Sequence, residues 1–302
     1  MKLRNWLSFV ALGLIWGSAF MWIKIVVREI SPYMLVTVRL FFGVVFLGVY
    51  VWFKKPVLPR TPKVWAVLAV LGATNIAIPF LFVSWGEVYV DSAVTAILHS
   101  TVPLFTMLMA HFFLDDDRVT LPRAAGLFLG FLGVIVLMWH DLSRGVHANL
   151  LGEGAILLAA LSYAGSVVLI RVKLRNVAHL VQAFFPMLWA ELLMWGGVPL
   201  FNVPVVLPRL RLTWISVLWL GMVSSAFAYI LFFHLLHEIG PTRTTMITYI
   251  FPVVGLVLGA VFLNETVSWN LFLGSVLVVS GIALVNKNVN GNGKIRDVQE
   301  NG

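Results

Sequence analysis

Ten apolar stretches follow one another along this chain, each close to the roughly 20 residues a helix needs to cross a bilayer. They fall at about 6–26, 33–53, 64–84, 92–113, 120–140, 152–171, 180–201, 214–236, 243–263 and 270–286. Every connection is about a dozen residues or shorter, too little chain for a soluble domain. Pro32, Pro62, Pro122, Pro208 and Pro241 stand at the breaks, where helices start or stop. Only 11% of the residues are charged, against about 25% in a soluble domain. Water is therefore not the solvent for most of this chain. Lys2 and Arg4 precede the first stretch as in a signal peptide, but the run from Trp6 to about Val26 outlasts the roughly 7–15 residues of a signal's apolar region. No A-x-A site comes after it, so a retained first span is expected.

The chain contains one pattern twice. Shifted by 149 residues, Gly221 falls on Gly72, Ala226 on Ala77, Thr244 on Thr95, Pro252 on Pro103 and Phe262-Leu263 on Phe113-Leu114. The run Asp115-Asp116-Asp117 carries one extra acidic residue, and past it the shift is 148, placing Glu265 on Asp117, Gly274 on Gly126 and Gly281 on Gly133. Gly and Pro at kept spacings are hard to obtain by chance. In the first spans of each half the match is weaker. There a shift of 147 sets Trp16 against Tyr163 and Lys24 against Arg171.

Basic residues orient the chain. With the N-terminus in the cytoplasm, 15 of the 21 Lys and Arg lie on that side, five lie on the other, and Arg39 is within a span. That bias supports both termini inside. The net charge of +8 is explained by these flanks and calls for no nucleic acid. Half the chain is then five spans, and two copies of an odd unit must insert in opposite senses. The expected fold is an all-α integral membrane protein of ten transmembrane helices, two inverted five-helix repeats around a central cavity. Residues 1–146 form the first repeat and 147–287 the second. The Asn- and Gly-rich tail, 288–302, is expected to be a disordered cytoplasmic segment.

Catalytic and cofactor motifs are absent. There is no phosphate-binding G-x-x-x-x-G-K-[ST], no G-x-S-x-G and no H-E-x-x-H, and no cysteine for thiolate chemistry. His234 and His237 share a helical face with Glu238 beside them, but lack a third ligand, so no metal is expected. An intramembrane enzyme is the alternative of a different class, and no residue pattern raises it.

Several features point inward. Gly13 and Gly17, Gly126 and Gly130, and Gly255 and Gly259 are each four apart, the spacing of closely packed helices in lipid. Pro103 and Pro252 interrupt matching spans, which lipid tolerates only where the backbone is packed in protein or faces water. Trp16 and its counterpart Tyr163 can supply flat walls. Thr95 and His99 lie one turn from Pro103, with Thr244, Thr248, Thr245 and Tyr249 in the corresponding region of the ninth span. Asn75 matches Ser224, and Phe80 matches Tyr229. Singly, each reads as an interhelical bond or a packed ring. Together they read as a cavity lining. Ionisable groups within spans are functional candidates by default. Arg39 or Lys24 can pair with Glu87 as a structural ion pair, while Glu191 and His99 are candidates to carry a coupling proton.

The run Trp16-Gly17-Ser18-Ala19-Phe20 with Lys24, Pro32 followed by Arg39, Pro103 ahead of Phe113-Leu114, and Gly240 through Pro252 to Asn264-Glu265-Thr266 match a known pattern. Over about residues 6–286 the chain resembles the EamA-type transporters of the drug/metabolite transporter superfamily. Asp115-Asp116-Asp117 departs from the usual single acidic residue before Arg, although Asp117-Arg118 fits. The resemblance implies an inner-membrane carrier whose pathway is lined by the first, third, fourth, sixth, eighth and ninth spans. Members export amino acids or other small metabolites, and relatives carry nucleotide sugars or triose phosphates. No cluster of buried Lys and Arg suits a phosphate. The expectation is a secondary transporter exporting a small organic metabolite, an amino acid or similar amphiphile, by alternating access. An uncoupled facilitator, or a carrier of a lipid-linked or phosphorylated substrate, stays open. The expected partners are that substrate, the lipid bilayer and coupling protons.

Overall fold

A computed structural model describes residues 3–113, 120–144, 147–239, 244 and 246–287. Thr245, the run Asp115-Asp116-Asp117 and the tail from 288 lie outside the described residues. The helices are α1 (Leu3–Val26), α2 (Pro32–Lys54), α3 (Pro62–Tyr89), α4 (Ser92–Phe113), α5 (Leu121–Arg144), α6 (His147–Lys173) and α7 (His179–Leu200). Then come α8, built from Arg211–Leu218, Trp219–Phe227 and Ala228–Ile239, α9 (Ile247–Phe262) and α10 (Trp269–Lys287). Eight of these are long and apolar enough to cross a membrane, and the two apolar helices at the C-terminal end of the series are shorter. The starts carry ordinary helix signals. Ser31 caps α2, its hydroxyl accepting the Met34 amide at 3.3 Å, and Pro32 and Pro62 occupy first-turn positions.

Two helices depart from α geometry at matching places. Residues Gly72–Ala77 in α3 and Trp219–Phe227 in α8 are π-helical. No periodicity in the sequence announces either one. Each wide turn lies against a helix of the opposite half: Gly72 meets α7, where an added Cβ would stand 2.8 Å from the Pro186 carbonyl oxygen, and Gly221 meets α2, where it would stand 2.6 Å from that of Arg39. Only glycine permits so close an approach of backbones.

The same exchange recurs through the bundle. Helix α1 packs on α9 as α4 packs on α6, and α1 on α8 as α3 on α6, while α5–α10, α4–α9 and α2–α7 are contacts between counterparts. The α5–α10 seam is a row of glycines. An added Cβ on Gly126 would stand 2.8 Å from the Gly281 carbonyl oxygen, and one on Gly133 would stand 2.9 Å from that of Gly274. Contact of 126 with 281 and of 133 with 274 makes these two helices antiparallel.

Side-chain ties hold the two ends of the bundle. At the end holding Lys24, the Glu265 carboxylate accepts the Ser92 amide at 2.8 Å, the Ala93 amide at 3.1 Å and the Ser92 hydroxyl at 3.0 Å, capping α4. Nearby, Glu29 accepts the amides of Arg209 and Leu210. At the opposite end Glu238 receives Asn5 at 3.3 Å and lies 3.8 Å from Arg4.

Candidate functional site

Helix α1 reaches the centre because it has little side chain on one face. Gly13 and Gly17 lie directly on Ile250 and Val254 of α9. Trp16 and Phe20, four apart on that helix, are thereby brought among rings from three other helices. The Trp16 ring lies 6.1 Å from Tyr229, 5.6 Å from Phe232 and 6.5 Å from Phe251. Phe20 lies 5.4 Å from His99 and 6.2 Å from Phe251. His99 in turn lies 5.1 Å from Tyr163 and 6.0 Å from Phe251. Helices α1, α4, α6, α8 and α9 thus each contribute to one aromatic group. Trp16, His99, Tyr163 and Tyr229 are only half-buried, although they lie within the bundle. Sequence reasoning named four of these rings. It passed over Phe20, Phe232 and Phe251, because a phenylalanine in an apolar span carries no mark of its own. The one available signal was the four-residue spacing of Phe20 from Trp16.

The π-helical turns supply the polar edge of the site. A π-turn shifts the backbone ladder and leaves carbonyls for other donors. The Trp16 indole donates to the Ser224 carbonyl at 3.0 Å. In the other half, the Ser162 hydroxyl donates to the Thr74 carbonyl at 2.6 Å, and the Thr74 hydroxyl lies 2.9 Å from that of Ser166. Asn75 is on the first π-turn and half-buried, and the Ser224 hydroxyl is buried with no partner among the described residues. Ser225 donates to the Leu220 carbonyl at 2.8 Å and accepts the Arg39 Nε–H at 2.9 Å. The Arg39 guanidinium lies over the Phe80 ring at 4.0 Å, a cation–π contact. It is within electrostatic range of Tyr163 and Tyr229. A separate apolar groove of about 390 Å³ is lined by Phe46 of α2 and by Trp219 and Phe227 of α8, among others.

Both prolines coincide with helix interruptions. In α4 regular helix stops at His99 and resumes at Val102, just before Pro103. The hydroxyls of Ser100 and Thr101 cover the Ile97 and Leu98 carbonyls at 2.6 Å each. In α9 a 3-10 stretch, Met246–Tyr249, precedes Pro252. Tyr249, expected to line the cavity, is the last residue of that stretch. The Tyr249 hydroxyl donates to the Ile282 carbonyl of α10 at 2.8 Å, and its ring packs in the α4–α5–α10 core. Phe251 faces the centre instead. Thr95 is buried and donates to the Asp91 carbonyl one turn back.

The ionisable groups are placed differently from the expected pairs. Among the described residues no acidic side chain comes within 4.0 Å of Lys24 or Arg39. Lys24 instead donates to main-chain carbonyls, Glu87 at 2.8 Å and Val90 at 2.7 Å, closing the C-terminal turn of α3. Helix-end carbonyls have no side chain to advertise them, which is why the ion pair was the readable alternative. The Glu87 carboxyl is fully buried, and neither oxygen has a partner among the described residues. Glu191 accepts the Trp195 indole N–H at 2.7 Å, a partner four residues along its own helix. It lies on α7, which contributes no ring to the aromatic group. The His99 Nδ1 is buried with no partner among the described residues. In the connection before α2, the Glu29 carboxyl is held below its ordinary value by the Thr213 hydroxyl, then by the Arg209 and Leu210 amides and the Arg209 charge, with partial burial opposing.

Known proteins resemble this chain along most of its length. The chain is 26% identical over 281 residues to the uncharacterized transporter YoaV of Bacillus subtilis, covering 91% of this chain and 94% of the other. It is 27% identical to an uncharacterized transporter of Archaeoglobus fulgidus, covering 94% and 99%, and 28% identical to the inner membrane transporter YedA of Escherichia coli, covering 92% and 89%. A solved crystal structure shares the fold with a TM-score of 0.68 at 19% identity, over 94% of this chain and 98% of that one. The model of the EamA-like transporter family matches residues 5–139 and 150–287. A multi-pass membrane protein with these matches over nearly its whole length belongs to the EamA-like transporter family, within the drug/metabolite transporter superfamily.

Proposed function

We propose that this protein is a secondary carrier of the cell inner membrane that exports a small organic metabolite, an amino acid or similar amphiphile, by alternating access. Its ten helices form two inverted five-helix repeats, 1–146 and 147–287, and both termini are cytoplasmic. The antiparallel α5–α10 seam of matched glycines supports the inversion, as does the family match in two stretches of similar length. Inverted repeats of this kind hold their substrate at the repeat interface near the bilayer midplane.

The observation that carries the reading is the aromatic group. Trp16 and Tyr163, one from each half, line it together with Tyr229, the counterpart of Phe80. Such walls suit a flat apolar body, and His99, Asn75, Ser224 and Thr245 are the residues proposed for its polar groups. With the N-terminus inside, the Glu29 and Glu265 ties close the outer end and the Glu238 tie lies at the inner end. Exchange between opening one set and opening the other is the alternating motion. His99 and Glu191 are the candidate proton carriers.

Purified protein in proteoliposomes, loaded with one amino acid at a time, tests this by counterflow. Trp16→Ala and His99→Ala are expected to reduce uptake of label at least tenfold while reconstituting in equal amount (about the cost of a lost ring or buried hydrogen bond). Uptake that does not respond to unlabelled substrate on the opposite side would indicate a facilitator instead.

A further inference from the structure

Two wall positions of the site come in matched pairs, Trp16 with Tyr163 and Phe80 with Tyr229, but its charge does not. Arg39 is on α2, and the corresponding stretch of α7 reads Pro186-Met187-Leu188. A single guanidinium, 5% exposed, therefore stands beside the aromatic group with no counterpart. A cation at this depth is costly unless it is neutralised and its donors are used.

What the protein itself provides is incomplete. One of the five N–H donors, on Nε, goes to Ser225. Ser225 spends its own proton on the Leu220 carbonyl, so its oxygen is turned to receive Arg39. The Phe80 ring supports the guanidinium plane at 4.0 Å. These two contacts fix the head and leave the terminal nitrogens without a hydrogen bond among the described residues. The one carboxyl in electrostatic range, Glu87, forms no bridge to it within 4.0 Å. The Tyr163 and Tyr229 hydroxyls lie in the same range.

We infer that Arg39 receives the carboxylate of the transported compound, and that the site selects monocarboxylates bearing a flat apolar group. A guanidinium held by Nε and by one face offers its terminal N–H pair to a carboxylate in two parallel bonds. The rings of Trp16 and Tyr163 take the apolar body. A phosphate dianion requires a second cation, and Lys24, the other cation that acts on Glu87, is committed to two main-chain carbonyls. This inference rests on the transport reading and adds the chemical class and the residue that reads it.

The test is direct binding to purified protein, monitored by thermal shift and by tryptophan fluorescence. The probes are phenylacetate, phenylacetamide, phenethylamine, phenylalanine and phenyl phosphate. Wild-type protein is expected to bind phenylacetate at least about tenfold more tightly than phenylacetamide, which has the same shape without the charge. Phenethylamine and phenyl phosphate should be weaker than phenylacetate. Arg39→Gln should remove the tenfold preference, and Arg39→Lys should keep part of it. The wild-type comparison needs no variant to fold. Equal affinity for acid and amide, tighter binding of the amine or the phosphate, or no binding of any carboxylate would each overturn the inference. A preference that survives in Arg39→Gln would overturn it too. Counterflow of a neutral compound would leave the carrier reading standing while this one falls.

Discussion

The Trp16 indole and the Ser224 main-chain carbonyl, 208 residues apart in the chain, meet at 3.0 Å where the first helix of one half crosses the π-turn of the other. Ser162 and Thr74 make the corresponding contact at 2.6 Å with the halves exchanged. Each π-turn frees a carbonyl inside a bundle where water is scarce. A side chain from the opposite half then bonds it.

Trp16→Phe keeps a ring and removes the donor. The variant should unfold with a stability lower by about 1–2 kcal/mol, the cost of leaving one buried acceptor unpaired. Ser162→Ala should lose a similar amount through Thr74. Thermal unfolding in detergent measures both, and two unchanged midpoints would mean that the π-turn carbonyls find other partners.

Glu265 caps α4 by way of the Ser92 and Ala93 amides. Glu265→Ala removes the acceptor for both and should cost about 1–2 kcal/mol. It should also loosen this end of the bundle. The chain contains no cysteine, so a single Val90→Cys reporter, buried beside the tie, can be followed without background. Its labelling should accelerate in the Glu265→Ala background, and an unchanged rate would separate the cap from the closure.

Glu29 carries a pH dependence. Its folded-state carboxyl titrates below the ordinary value of 4.5, so the unfolded chain binds the proton first as acid is added. The stabilising contribution is therefore present above 4.5 and is lost as the pH falls through the lower folded value. Unfolding midpoints between neutral pH and about pH 3 should fall less steeply in Glu29→Gln than in wild type. Parallel curves would show that the Thr213, Arg209 and Leu210 contacts do not hold the charged form.

Along the α5–α10 seam, an added Cβ on Gly281 would stand 2.6 Å from the Gly126 carbonyl oxygen. Gly281→Ala must separate two backbones, and should lower the fraction of monodisperse protein and the unfolding midpoint. Gly154 faces open space, and Gly154→Ala there serves as the neutral control.

Much of this arrangement could be read from residue order alone. Long apolar runs and the prolines between them located the described helices, with the end of α3 and the start of α6 missed by about five residues, because lipid leaves the backbone little choice. The spacing of Gly126 and Gly130 marked a closely packed helix, without naming α10 as its partner, and Trp16, Tyr163 and Tyr229 were named as cavity-lining rings. Three things were hidden. A π-turn adds one residue to a helix without changing its composition, so Gly72–Ala77 and Trp219–Phe227 looked like ordinary helix. The 3-10 stretch before Pro252 turned Tyr249 toward α10 and brought Phe251 inward, which α-helical spacing could not foresee. Lys24 found main-chain oxygens where a carboxylate was the visible choice.

The claim on which the rest depends is that the aromatic group is reached from both faces of the membrane in turn. A single Asn75→Cys at the polar edge of the site in this cysteine-free chain, reconstituted in vesicles of known sidedness, reports it through a membrane-impermeant thiol reagent. The account predicts labelling from either side, slowed by a compound that shows counterflow. Labelling from one side only, whatever substrate or gradient is present, would contradict it.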